Sequence, residues 1–386
     1  MKSGIFKRSA VVAALATAGV VAHADALPFN FYALLDAGVV STSISGGGSA
    51  GSHTTEVRSS PIDPSFWGVI SEKKLGDVIG GLQIESALST TPYAGSVPSS
   101  LGNRQANVYV KSDAAGKLEI GTITDPVFDT LLMVDPTSSG FGNTLSPWFQ
   151  NIAHGSSDIG SVKYTSPTVA GFTGKVSYVG ASAANTSGSN GSFGSGYRYA
   201  LTYNQGDLNV VGAYEVNNSA GTSTSSTIAA GAQQNSAVVL GASYKIKALT
   251  LKAIQLTNRD NASTFTSNNT TYYTTDFGSL VTTGFGGSYD FSEKLQLTSG
   301  YYMSKDGKTA GKTNSENTSA WDTYLTYEFI KDLKVYGQYA KVSNNATAGN
   351  AFNFWSNYGT FANNDAGLSA GQSASVLSVG LHYGFF

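Results

Sequence analysis

Residues 375–386 read SVLSVGLHYGFF, with Leu377, Val379, Leu381, Tyr383 and Phe385 at every second place. Ser378, Gly380, His382 and Gly384 fill the places between. A period of two is a strand signal. Chain ends normally fray into water and are polar. Here one face is strictly apolar, so the reading of the whole chain turns on what that face touches.

Working backward from this stretch, the second half of the chain has one rhythm. Alternating segments come in pairs joined by tight turns, and long polar stretches separate the pairs. YRYALTY (197–203) turns at NQGD and returns as LNVVGAY (208–214). AVVLGASY (237–244) returns through ALTLKAIQL, GFGGSYD through KLQLTSGYY, and WDTYLTYEF (321–329) through LKVYGQYA. With the last strand these make nine. The first half adds seven, near 30–41, 65–73, 77–89, 103–112, 116–124, 161–167 and 171–182. The expectation is therefore an all-β protein of sixteen antiparallel strands.

The turns are short on one side, and the loops on the other run to about 30 residues, the pattern of an outer-membrane β-barrel. The polar phase of the strands is small and neutral, and the other is Leu, Val and Tyr. That suits lipid outside and water inside, with tyrosines at strand ends forming an interfacial girdle. Closure also removes unpaired edges, which hydrocarbon penalises. A secreted sandwich or solenoid would leave the one-sided loops unexplained, and no internal repeat is present.

Composition agrees. The chain has 386 residues, 45 of them Gly, 21 Tyr and 19 Phe, and only 12% are charged. There is no Cys, which excludes disulfides and thiolate metal sites. Lys2, Lys7 and Arg8, an apolar run from Ala10 to Val21 and the triplet Ala22-His23-Ala24 read as a secretory leader over 1–24. A single barrel domain is expected over 25–386. Without the leader's three bases the chain keeps 20 Lys and Arg against 25 Asp and Glu, no basic footprint for nucleic acid. The Gly-rich stretches lack the strand–loop–helix setting of a phosphate cradle, so no cofactor is expected.

FYALLDAGVV, SFWGVISEKKLG, GGLQIES, GNRQANVYVKSDAAGKLEIG, SVKYTSPTVAGF and VGLHYGFF together resemble the general porins of Gram-negative bacteria, in their beta-proteobacterial branch. The resemblance covers the mature chain. It implies a sixteen-stranded, homotrimeric, water-filled barrel in outer-membrane lipid that passes ions and small hydrophilic solutes. It implies recognition of the C-terminal strand, ending Phe385 and Phe386, by the barrel-assembly machinery. The family usually ends on one Phe; here Phe386 is extra.

The resemblance also implies that the third outer loop, Asp125 to Gly160, folds into the barrel and narrows it. That loop offers Asp125, Asp129, Asp135 and Asp158, and the apolar residues Phe128, Leu131, Leu132, Met133 and Val134. Acids there would face bases on the opposing wall, because rings of charge at a narrow point set ion preference. Arg104 and Glu85 keep the family pattern, and Asp36 of strand one joins the expected constriction set. Phe66 and Ser157 stand where arginines are expected, and Leu34 and Thr122 replace two further basic positions. Lys163 is the nearest alternative base. The implied constriction is poor in positive charge, giving near-neutrality or weak cation preference. The apolar loop residues could instead favour solutes with an apolar face.

Two other function classes remain open at this point. A barrel enzyme needs a nucleophile within reach of a base. His53, His154 and His382 are the histidines outside the leader, and there is no G-x-S-x-G elbow. An adhesin or surface structural barrel would use the loops 42–60, 184–196, 218–235, 259–280, 306–318 and 344–374. Those loops are plain Ser, Thr, Asn, Gly and Ala, and conduction would separate this reading from a channel.

Overall fold

In the computed structural model, residues 29–47, 51–90, 101–137, 157–180, 193–219, 234–259, 264–267, 270–274, 280–306, 317–345, 368 and 371–385 are described. The leader region and Phe386 lie outside them, as do His154 and most of the outer loops. The first strands are β1 (Phe29–Gly46), β2 (Ser52–Ser59), β3 (Phe66–Leu75), β4 (Val78–Ala87), β5 (Gln105–Ser112) and β6 (Gly116–Thr124). Helix α1 (Pro126–Val134) follows, then β7 (Ser157–Thr165), β8 (Phe172–Val179), β9 (Phe193–Gln205), β10 (Leu208–Ser219), β11 (Gln234–Ile246) and β12 (Leu249–Arg259). A small separate hairpin, β13 (Thr264–Ser267) with β14 (Thr270–Thr274), precedes β15 (Leu280–Asp290), β16 (Leu295–Asp306), β17 (Thr318–Ile330), β18 (Leu333–Asn344) and β19 (Gln372–Phe385).

All strands but β13 and β14 join one antiparallel sheet, and β19 pairs β1 from Ala33 opposite Phe385 to Gly46 opposite Gln372. The sheet is thus a closed barrel. β2 and β3 both pair with β1, end to end, so together they form one stave and the barrel has sixteen. Among the described residues the tight turns are all at one end. Gly76 and Gly206 take the left-handed backbone needed at two of them, which glycine adopts without a Cβ penalty.

The opening stretch behaves as its pattern requires. Leu377, Val379, Leu381 and Tyr383 are 58, 57, 52 and 41% exposed, while Ser378 on the other face is buried. On a closed barrel that exposed apolar face is the outside. Outward aromatics pair across strands, as in Phe172 with Tyr203 and Tyr178 with Tyr197.

One strand expectation changes. The expected loop 42–60 is largely strand, because β1 runs on to Gly46 and β2 occupies Ser52–Ser59. Polar side chains on both faces hide the alternation there: Ser43 and His53 hydrogen-bond on the outside. In β5, Asn107 and Tyr109 share the buried inner face, and Val108 and Val110 are exposed. Tyr109 faces inward because Gly81 leaves room for its ring and Glu72 accepts its hydroxyl at 2.5 Å.

Candidate functional site: the lumen and its third loop

The third outer loop enters the barrel as α1. Asp125 caps the helix, accepting from the amides of Val127 (2.6 Å) and Phe128 (3.3 Å), and Pro126 follows at the first helical position. Both choices favour a helix start, one by satisfying orphan amides and one by fixing φ. Val127, Phe128, Leu131 and Val134 are buried in one cluster with Val211, Ala213, Val239, Ile254 and Leu256 of the inner wall. Leu132 and Met133 pack at its margin. The apolar run is therefore mostly adhesive: it seals the loop to β10–β12 instead of lining the water. At ~25 cal/mol per Å² of apolar area removed from water, this is the main force holding the helix in place.

The wall is shaped to receive the loop. A Cβ on Gly241 would stand 2.5 Å from Val134 Cγ2, and one on Gly300 would stand 2.8 Å from Thr137 Cγ2. Both glycines let the loop approach the backbone closely.

Each end of the helix is tied by an acid. Arg198 of β9, fully buried, reaches Asp125 (Nε–Oδ2 3.1 Å), Asp158 (Nη2–Oδ1 3.2 Å) and Glu215 (Nε–Oε2 3.7 Å). At the other end Tyr302 donates to Asp135 Oδ1 at 2.5 Å, the Thr137 amide donates to the Tyr302 hydroxyl at 3.2 Å, and Tyr324 donates to the Thr137 carbonyl. Burial pushes the carboxyls of Asp125 and Asp135 above their usual range, against the pull of Arg198 on Asp125 and of Tyr302 on Asp135.

The wall beside this apolar patch carries charge. Lys111, Lys117, Lys163, Lys175 and Arg198 face inward from β5, β6, β7, β8 and β9, one per strand. Each has an acid. Lys111 meets Glu72 at 2.6 Å, and Lys117 and Lys163 share Glu119 at 2.8 and 3.3 Å. Lys175 meets Asp129 of α1 at 3.0 Å. Above this run Arg104 pairs with Glu85 at 2.5 Å and lies 4.6 Å over the Phe66 ring, while Tyr32 donates to Glu85.

The ten residues expected at the constriction therefore fall in several groups. Asp125 and Asp158 come together on Arg198. Arg104, Glu85 and Phe66 form a second cluster, Lys163 a third with Glu119, and Asp129 a fourth with Lys175. Ser157 opens β7 opposite Thr124, beside Asp158. Asp135 and Asp36 are fully buried anchors without exposed surface. Asp36 accepts the Ile62 and Asp63 amides at 2.8 and 2.7 Å and the Tyr336 hydroxyl at 2.8 Å. Lys111, Lys117, Lys175, Arg198 and Glu215 were missed. Arg198 was findable: it is the one charge in YRYALTY and lies on the inward phase, opposite Glu215 in the ladder.

The chain can be compared with known proteins on this footing. The sequence model of the Gram-negative porins matches residues 10–347. No curated protein matches the sequence. Similar solved structures include the anion-selective porin from Comamonas acidovorans, with TM-score 0.72, 16% identity, and 93% of this chain and 99% of that one covered. OmpF of Salmonella typhi, solved with daunomycin, gives 0.67 and 17% over 94% and 99%. The trimer form of Vibrio cholerae OmpT gives 0.62 and 16% over 94% and 100%. A closed sixteen-stave barrel, a third loop inside it and a family match over most of the sequence converge on one conclusion: the chain belongs to the Gram-negative porins, non-enzymatic outer-membrane channels for small solutes.

Proposed function

We propose that the protein is a homotrimeric, passive diffusion pore for ions and small hydrophilic solutes whose constriction carries little uncompensated positive charge. The observation that carries this reading is the run of bases on β5–β9, each with an acid within 4 Å. Paired charges largely cancel in the field a passing ion feels, so near-neutrality or weak cation preference follows. Phe66 strengthens the reading, since an aromatic ring stacks on Arg104 where the family pattern has a second arginine. Trimerisation draws support from the family and from the trimer form of the Vibrio cholerae relative in fold. A secretory leader cleaved near Ala24 and a C-terminal strand read by the assembly machinery complete the proposal.

The test is a planar bilayer with detergent-purified, unheated protein in a KCl gradient. Conductance steps in triplets with a reversal potential near zero, or slightly toward potassium, are expected. Clear anion preference would overturn the constriction reading and leave the barrel standing. A folded barrel without conduction would overturn the pore.

A further inference from the structure

Six residues, Ser60–Ser65, separate β2 from β3, while β1 spends only Leu35 and Asp36 between its partners Phe66 and Ser59. The surplus forms a bulge, and the bulge points inward. Its partners Asp36, Tyr336 and His382 alternate with outward residues such as Leu381 and Tyr383, so all three face the lumen. The bulge is pinned. Asp36 takes two of its amides, the Ser60 amide donates to the Asp36 carbonyl at 2.8 Å, and Ser65 Oγ accepts from the Asp36 amide at 2.9 Å. Ser60 adopts φ +59°, a costly conformation for a residue with a Cβ, held by these bonds. Pro61 and Pro64 restrict the chain further.

At its tip Asp63 Oδ2 stands 3.4 Å from His382 Nδ1, with 15% of the aspartate side chain exposed. In the ladders His382 is opposite Asp36 on one side and Lys334 on the other. The charged and titratable groups around the imidazole are thus Asp36 of β1, Asp63 of the bulge, and Lys334 and Tyr336 of β18. Histidine is the side chain whose charge changes between pH 5 and 8.

We propose that the Ser60–Ser65 bulge is a second narrowing of the pore, on the wall away from α1, and that Asp63 determines ion preference there, its charge offset by His382 only when that imidazole is protonated. The proposal rests on the pore reading above. Asp63 would then attract cations at pH 8 and be screened at pH 5. Potassium preference rises with pH for this reason.

The experiment uses the full chain in planar bilayers at pH 5 and 8, comparing wild type with Asp63→Asn, His382→Asn and Asp63→Trp. Heat-shifted trimer bands report assembly of each. Asp63→Asn is expected to lower potassium preference at pH 8. His382→Asn is expected to give the high-pH value at both pH values. Asp63→Trp is expected to shrink the conductance step. Assembled Asp63→Asn channels with wild-type reversal potentials at both pH values would overturn the charge role. Asp63→Trp channels with wild-type steps would overturn the narrowing. Wild-type protein that does not conduct would instead sink the pore reading.

Discussion

Along β5–β9 the acids of the lumen meet bases; along β16–β19 and β1 the buried acids meet hydroxyls and amides. Glu72, Glu119 and Asp158 have Lys or Arg partners. Asp36 is held by Tyr336 and two backbone amides, Asp135 by Tyr302 and Thr137, and Asp322 by both contacts of Gln338 at 3.0 and 3.1 Å. A base cancels an acid's charge, whereas a neutral donor satisfies its lone pairs and leaves the charge in place. On the proposed reading the first wall is electrically quiet at the third loop. The second is built for attachment: its acids hold the loop and the Ser60–Ser65 bulge.

Removing a base should separate the two walls most sharply. Arg198→Met leaves Asp125, Asp158 and Glu215 together without their shared cation. A buried cluster broken this way costs about 3–5 kcal/mol, so the protein's heat-unfolding midpoint should fall well below that of any hydroxyl deletion. An unchanged midpoint would show that the cluster does not hold the loop. Tyr302→Phe tests the other wall. It removes the donor to Asp135 and should cost about 1–3 kcal/mol, read in the same unfolding assay.

The same anchor has a pH signature. Because burial raises the Asp135 carboxyl, the docked loop binds more protons than the released one. Stability from this group therefore falls as pH rises from about 4, the ordinary carboxylate value, through the raised one. Asp135→Asn should flatten that slope above pH 4. A parallel slope in the variant would assign it elsewhere.

Gly241→Ala sharpens the comparison through packing alone. Its Cβ would crowd Val134 and stand 2.9 Å from the Ala253 carbonyl, a misfit of about 1–3 kcal/mol that should shift the helix and change the conductance step. The smallest stability effect belongs to Lys175→Gln. Its pair with Asp129 is partly exposed and worth about 0.2–1 kcal/mol. Yet it frees a lumen acid, so the reversal potential should move toward potassium while the unfolding midpoint holds.

Much of the barrel was legible because lipid outside and water inside impose a period of two on each stave. β19 shows it in five apolar residues, and the tight turns give the pairing. The pattern failed where that contrast fails. Ser52–Ser59 has Val57 as its one apolar residue and is otherwise polar on both faces, so β2 looked like loop. Tyr109 is large and apolar yet faces inward, because Gly81 opposite has no side chain. The site was harder to read, since its contacts join residues far apart in sequence. Nothing local links Asp125 to Arg198 or Asp135 to Tyr302. The apolar run of α1 was visible in the sequence, but only the wall of β10–β12 shows that it is glue.

The ladder between β1 and β19 makes closure of the barrel depend on its last strand. Ala33 cannot meet Phe385 until the last strand has been delivered, so this seam cannot close before β19 is in place. Until then two strand edges carry bare amides and carbonyls, which neither hydrocarbon nor a crowded compartment tolerates without a partner. Stability that comes only with the last stitch is cooperative, and a chain cut short before β19 would forfeit the enclosure itself along with one strand.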